Sequence, residues 1–404
     1  MPTADQRLEQ YALLAVKIGV NLQPGQTLGI NALLEHAPLA RAITRQAYAA
    51  GAAYVDVLYS DQHVRREHIA LADAAQLGYS PPWLVERLNK LGEIGGALCA
   101  ITGNPEPELF SDLDGTRVGK ARMRKVAEAS LELTDGLCNW SIVAYPNEGW
   151  AETVFGEPDV ERLWQAVATT VRLDEPDPVD AWREHIARLQ QRAEALNARR
   201  FDRLRYHGPG TDLSIGLHPE SEWQTALDES AGVKHIANMP TEEVFTTPDA
   251  RRIEGVVRST LPLQIQGNIV RGLAVRFEEG RAVEVKAESG EDVMRAHVAT
   301  DEGAARLGEV ALVDGHSRVG QTGLVFYDTL FDENASSHIA LGASIVHAVP
   351  WAGELSSDER SARGVNHSSI HTDFMIGSNE LEVDGLDADG NATPILRRGD
   401  WLLT

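Results

Sequence analysis

The chain has 404 residues, 43% apolar and 24% charged, a composition that gives enough interior for two domains and excludes a chain dominated by disorder. Its 37 basic against 60 acidic residues leave a formal charge of −23, which repels phosphate backbones and anionic lipid and argues against nucleic acid or a membrane surface as partner. Only Cys99 and Cys138 are present, too few for a disulfide framework or a thiolate zinc site, and no run of about 20 apolar residues exists to span a bilayer.

The segment from Met1 to Arg7 lacks a basic stretch followed by an apolar block, so no secretory leader is expected and a cytoplasmic location is. Leu8, Tyr11, Ala12, Ala15 and Ile18 recur at three- and four-residue spacings behind Thr3, which predicts a capped helix that Gln23-Pro24-Gly25-Gln26 stops. A strand at Thr27–Asn31, a helix at Leu39–Ala50 ended by Gly51 and a strand at Tyr54–Tyr59 then read as a βαβ unit with parallel strands. Further α/β material follows at Gly95–Ile101, in a helix over Arg117–Ser130 and in a strand around Trp140–Ala144. Asp174-Glu175-Pro176-Asp177-Pro178 breaks the chain, and Val179–Arg199 has the charge alternation of a long solvent-facing helix. A domain boundary is expected near Arg200, giving an N-terminal α/β domain over 1–200 and a C-terminal domain over 201–404.

From Phe201 the texture changes to short runs rich in Val, Ile and Thr between Gly turns such as Glu278-Glu279-Gly280-Arg281 and Asp387-Ala388-Asp389-Gly390. That pattern predicts mainly antiparallel β structure, interrupted by a helix at about Glu291–Leu307 and another near His338–Ile345.

The residues able to carry chemistry lie in this second half. Met239-Pro240-Thr241-Glu242-Glu243 holds two adjacent glutamates in extended chain, so only one can face a shared pocket. Gly308-Glu309-Val310-Ala311-Leu312-Val313 puts a carboxylate at the mouth of an apolar strand, where burial demands a cation or a donor. In Phe331-Asp332-Glu333-Asn334-Ala335-Ser336-Ser337-His338, Ser336 or Ser337 reads as a cap that places His338 in the first turn of a helix, with Glu333 on the loop before it. His371-Thr372-Asp373 opens the strand-like run Phe374-Met375-Ile376, and the two-residue spacing sets the imidazole and the carboxylate on one side. Carboxylate oxygens and imidazole nitrogens with no thiolate form a donor set suited to zinc, cobalt or manganese.

These segments, Asn238 to Phe245, Leu307 to Val313, Phe331 to Gly342 and His371 to Ser378, together resemble the M29 metallo-aminopeptidases of the aminopeptidase T and aminopeptidase S type. Tyr59 to Gln62, Asn139 to Ala144 and Val383 to Gly390 extend the resemblance over nearly the whole chain. The resemblance implies a homodimer of two-domain subunits, the mainly β C-terminal domain carrying two divalent metal ions held by Glu243, Glu309, Glu333, His338, His371 and Asp373, with Glu309 bridging them. It implies hydrolysis of the N-terminal residue from short peptides by an activated water, with Glu309 and Glu243 as the carboxylates of the reaction and an acidic cavity that receives the substrate's free ammonium.

The chain departs from the family at one position. Many relatives carry a tyrosine seven residues after the ligand histidine, where this chain has Ile345, which cannot donate a hydrogen bond; His347 is the expected substitute, with Tyr327 a more distant one. His316 and His367 read as solvated loop residues. Two other functions fit parts of the pattern: a relative that opens rings with a single Fe(II), which needs fewer carboxylates, and a peptide- or metal-binding protein whose catalysis is impaired by the missing tyrosine.

Overall fold

The protein is described by a computed structural model over residues 3–265 and 268–403. It divides into two compact units, one of residues 1–184 and 226–240, the other of residues 185–225 and 241–404.

The first unit begins with the helix Ala4–Leu14, closed by reciprocal bonds between Thr3 and Gln6 that satisfy the free N–H groups of its first turn. Strands β1 (Thr27–Leu33), β2 (Tyr54–Ser60), β3 (Ala97–Thr102) and β4 (Asn139–Ala144) form a parallel sheet in the order β2-β1-β3-β4. The β1 to β2 crossover is the helix Ala37–Ala49, which buries Leu39, Ala40, Ile43 and Ala47, so the expected βαβ unit is present. The single helix expected over 117–130 is instead two, Gly115–Lys120 and Arg124–Glu132, because Met123 takes a non-helical backbone between them.

The second unit begins at His185, within the helix Pro178–Arg199, and continues with the hairpin β5 (Arg203–Gly208) and β6 (Thr211–Leu217). The small hairpin β7 (Leu227–Ser230) and β8 (Val233–Ile236) belongs to the first unit. The second unit then continues through β9 (Val244–Thr246), β10 (Pro248–Arg258), β11 (Leu263–Ile265), β12 (Asn268–Val270), β13 (Ala274–Glu278) and β14 (Arg281–Lys286). It ends with β15 (Leu307–Leu312), β16 (His338–Gly342), β17 (His371–Met375), β18 (Glu382–Leu386), β19 (Ala392–Arg397) and β20 (Asp400–Trp401). Its two large sheets, β14-β13-β10-β6-β5-β18-β19-β20 and β17-β16-β15-β9, pair antiparallel throughout, and the expected Gly turns close the β13-β14 and β18-β19 hairpins.

Two helices differ from expectation. The helix from Glu291 stops at Val298, because the carboxylate of Asp301 accepts the Ala304 N–H and bonds to Ser368 and Ser369, tying the following chain into a turn before β15. The segment at His338 is a strand, and the helix lies just before it, at Thr329–Ala335, so Glu333 is helical and not on a loop. Ser337 is no helix cap. Its hydroxyl donates to the Val313 carbonyl and accepts the Val313 N–H, both at 3.0 Å, which fastens the start of β16 to the end of β15. Every residue of β16 is buried between β15 and β17, a setting in which ladder pairing outweighs the helical tendency of Ala and Leu.

Candidate metal centre

The four-stranded sheet assembles the six acidic and imidazole side chains. Glu309 lies opposite Ala340, and Ala340 opposite Asp373, so the two carboxylates stand on one face of the sheet with only a methyl group between them. His338 and His371 are two residues from Ala340 and Asp373 along their own strands and so share that face. Glu243 comes in from the residue before β9, and Glu333 from the helix that leads into β16.

A β-bulge puts Glu309 on this face. The β15-β16 register shifts by one residue between Leu307 and Glu309, leaving Gly308 as the extra residue. Without the shift Glu309 would stand opposite Ile339 and point to the other side. Gly308 is required there, since a Cβ would come within 2.0 Å of the Ala343 carbonyl oxygen.

Glu243 Oε2 lies 3.0 Å from His338 Nε2, and Glu309 Oε2 lies 3.0 Å from His371 Nε2, which is also 3.5 Å from Asp373 Oδ1. One candidate ligand atom from each of Glu243, Glu309 and His338 lies within 4.8 Å of the others, as do those from Glu309, His371 and Asp373. Glu309 is the member common to both groups. Glu333 belongs to neither triad, yet its carboxylate feels the charges of Asp373, Glu243, His338 and Glu309 and so sits in the same cluster.

The electrostatics follow from four carboxylates packed around two imidazoles. Burial, then the charges of Asp373 and Glu243, hold Glu333 well above the usual carboxylate range. Burial likewise raises Glu309, against the opposing hydrogen bond from His371. Burial pulls His338 down, but its bond to Glu243 and the charges of Asp373 and Glu309 together push it up to about 10. Burial also opposes the charged form of His371, which Asp373 and Glu309 nevertheless raise well above its ordinary value. For Asp373, burial pushes upward and the adjacent His371 prevails, leaving it below its ordinary value.

Each imidazole turns Nδ1 to a main-chain carbonyl, His371 to Ala343 at 2.8 Å and His338 to Ser336 at 3.3 Å. A carbonyl only accepts, so Nδ1 carries the proton and Nε2 is left to face the carboxylates. Glu243 Oε2 and Asp373 Oδ1 are buried, and the imidazole nitrogens that face them lie 3.0 and 3.5 Å away. A surplus of buried carboxylates and two nitrogens aimed at them make a donor set that divalent cations would neutralise.

Of the adjacent glutamates, Glu243 faces the cluster while Glu242 turns to His185, 3.6 Å away. Asn334 was not legible as a site residue: buried, it accepts the Glu242 N–H at 2.7 Å and donates to Leu330 O at 2.9 Å, tying the Glu243 turn to the helix that carries Glu333. His297, also missed, bonds Thr372 between the two β17 donors at 2.7 Å. Asn334 stands in the polar run Asp332-Glu333-Asn334 and His297 among helical residues, so no local signal marks either. His347 is exposed on the short turn Val346–Ala348 and lies in neither triad. Tyr327 lines a cavity of about 180 Å³ that His371 and Asp373 also border. His316 and His367 are solvent-facing, His316 paired with Asp400 at 2.9 Å.

The chain is similar to known proteins along nearly its whole length. The model of the thermophilic metalloprotease (M29) family matches residues 4–401. Aminopeptidase T of Thermus thermophilus is 43% identical over 411 residues, covering 100% of both chains, and aminopeptidase PepS of Streptococcus thermophilus is 38% identical over 413, again covering 100% of both. Among solved structures, wild-type AmpT from Thermus thermophilus superposes with a TM-score of 0.90 at 42% identity, covering 98% of this chain and 99% of that one. A 2,5-dihydroxypyridine dioxygenase from Pseudomonas putida covers 100% of this chain and 99% of its own at a TM-score of 0.56; at 11% identity, that is a likeness of fold alone.

Proposed function

This chain belongs to the thermophilic metalloprotease (M29) family and is a metallo-aminopeptidase, and from that premise we propose that it removes the N-terminal residue of short peptides with the help of two divalent cations. The observation that carries the proposal is Glu309 as the common member of two donor triads on one sheet face. In this reading Glu243, Glu309, Glu333, His338, His371 and Asp373 hold the cations, which supply Lewis acidity and lower the pKa of the attacking water. Zinc, cobalt and manganese suit the mixed oxygen and nitrogen donors.

The protein's own groups account for the rest of the reaction. The acidic surround attracts the ammonium of a free N-terminus, and the small cavity beside His371 and Asp373 has room for a terminal residue, not for a folded chain. In this reading Glu309 or Glu243 would accept the water's proton and return it to the leaving amine. Four carboxylates exceed the two histidines and one carboxylate of a single-iron oxygenase site, which favours hydrolysis over oxidative ring opening.

Aminoacyl amides and short peptides with free or acetylated N-termini, assayed after chelation and after re-addition of zinc, cobalt, manganese or iron, test this proposal. Release of the first amino acid that stops on chelation, returns with metal and is absent for acetylated substrates is expected. Internal cleavage of acetylated peptides, indifference to chelation, or dipeptide binding without release of any amino acid would contradict it.

A further inference from the structure

His338 and His371 are held in place by different means. His338 lies on β16, buried between two neighbouring strands, with its side chain 1% exposed. His371 opens the edge strand β17, and its side chain is 36% exposed. Packing fixes the first imidazole. The second depends more on the bond from its Nδ1 to the Ala343 carbonyl, 2.8 Å long against 3.3 Å for the equivalent bond of His338. Where that carbonyl points decides where Nε2 of His371 points.

The pairing of β16 ends at Gly342, and the chain beyond it is strapped to Asn366. The buried side-chain amide of Asn366 donates to the Gly342 carbonyl at 2.6 Å and to the Gly303 carbonyl at 2.8 Å. Its main chain exchanges two more bonds with Ser344, the Asn366 N–H donating to the Ser344 hydroxyl at 2.8 Å and the Ser344 N–H to the Asn366 carbonyl at 3.0 Å. Asn366 thus grips the residue on each side of Ala343. Carbonyls only accept, so the amide nitrogen must face both of them, a task that an aspartate of the same shape cannot perform.

We propose that Asn366 is a positioning residue for the reaction: by gripping Gly342 and Ser344 it aims the Ala343 carbonyl, and through it Nε2 of His371, at the cation held by Glu309, His371 and Asp373. The assignment rests on the two-cation reading above. Its reach covers half of the centre. His338 is served by a different carbonyl, that of Ser336, so the triad of Glu243, Glu309 and His338 is expected to keep its cation when the strap is loosened.

The test is Asn366→Asp, which keeps the shape but turns a carboxylate oxygen toward two carbonyls. Imidazole nitrogen NMR of the full-length protein in chelator-buffered zinc follows both histidines, their signals assigned with His371→Gln and His338→Gln. The free zinc needed to move the His371 Nε2 signal is expected to rise about 10–100-fold, while that for His338 stays within about threefold of wild type. Ser344→Ala removes one bond of the strap and keeps the amide; it is expected to shift His371 in the same direction by less, and it stands in if Asn366→Asp does not fold. An equal rise for both histidines, as a general loosening would give, or an unmoved His371 in either folded variant, would overturn the assignment. A wild-type protein in which neither histidine responds to zinc would overturn the two-cation reading, and this assignment with it.

Discussion

Glu309 accepts from His371 and belongs to both donor triads, so its replacement is expected to do more damage than that of any other single residue of the cluster. Glu309→Gln keeps the shape but removes the charge, and a fall in kcat of about 10³-fold, equivalent to roughly 4 kcal/mol, is expected in peptide-release assays together with loss of bound metal. Asn334 acts one step further out by fixing the turn that presents Glu243. Asn334→Ala is expected to weaken metal binding by about 10–100-fold in competition with a chelating dye, and unchanged affinity would show that the turn holds itself. The six side chains were readable as a set through the family resemblance, since taken singly a carboxylate at the mouth of an apolar strand, or a His and an Asp two apart, is as readily structural. Asn334 and His297 were not, since their partners, Glu242 and Thr372, are distant in sequence and no local pattern marks such a bond.

At the level of elements, the two-residue period of β17 was readable, and the structure keeps it, with His371 and Asp373 on one face. The strand at His338 was not readable as one, because a short run of His-Ile-Ala-Leu-Gly fits a buried helix as well as a buried strand and the pairing that decides comes from β15 and β17. The Gly308 bulge was equally hidden. It follows from the close approach of Ala343, some 35 residues on, yet it selects the face on which Glu309 lies. Gly308→Ala is therefore expected to cost about 1–3 kcal/mol of stability through overpacking and to lose metal binding as well. A variant of unchanged metal affinity by dye competition would show that the bulge does not aim Glu309.

Across the whole molecule, composition and texture indicated an α/β half followed by a mainly antiparallel half, and the parallel and antiparallel sheets bear this out. Nothing local in residues 226–240 announces that they pack with the first unit, because that association rests on long-range contacts. The coupled charges of the cluster give the protein a definite response to pH. His338 is raised from an unfolded value of about 6.5 to about 10, and His371, Glu309 and Glu333 are raised too. A raised group stabilises the fold below its unfolded pKa and loses that contribution as pH climbs through the folded value. The metal-free protein is thus expected to lose thermal stability as pH rises from about 6.5 to about 10. Cations need the imidazoles neutral, so added metal should raise the melting temperature more at the alkaline end of that window. A metal-induced shift largest near pH 6 would contradict this.

The claim beneath all of these expectations is that one sheet face, completed by Glu243 and Glu333, forms a single cage for a pair of cations about Glu309. Anomalous diffraction from crystals soaked in zinc or cobalt addresses it most directly. Two peaks about 3.5–4 Å apart, both within bonding distance of the Glu309 carboxylate, are expected; a single peak, or peaks away from Glu309, would contradict the account.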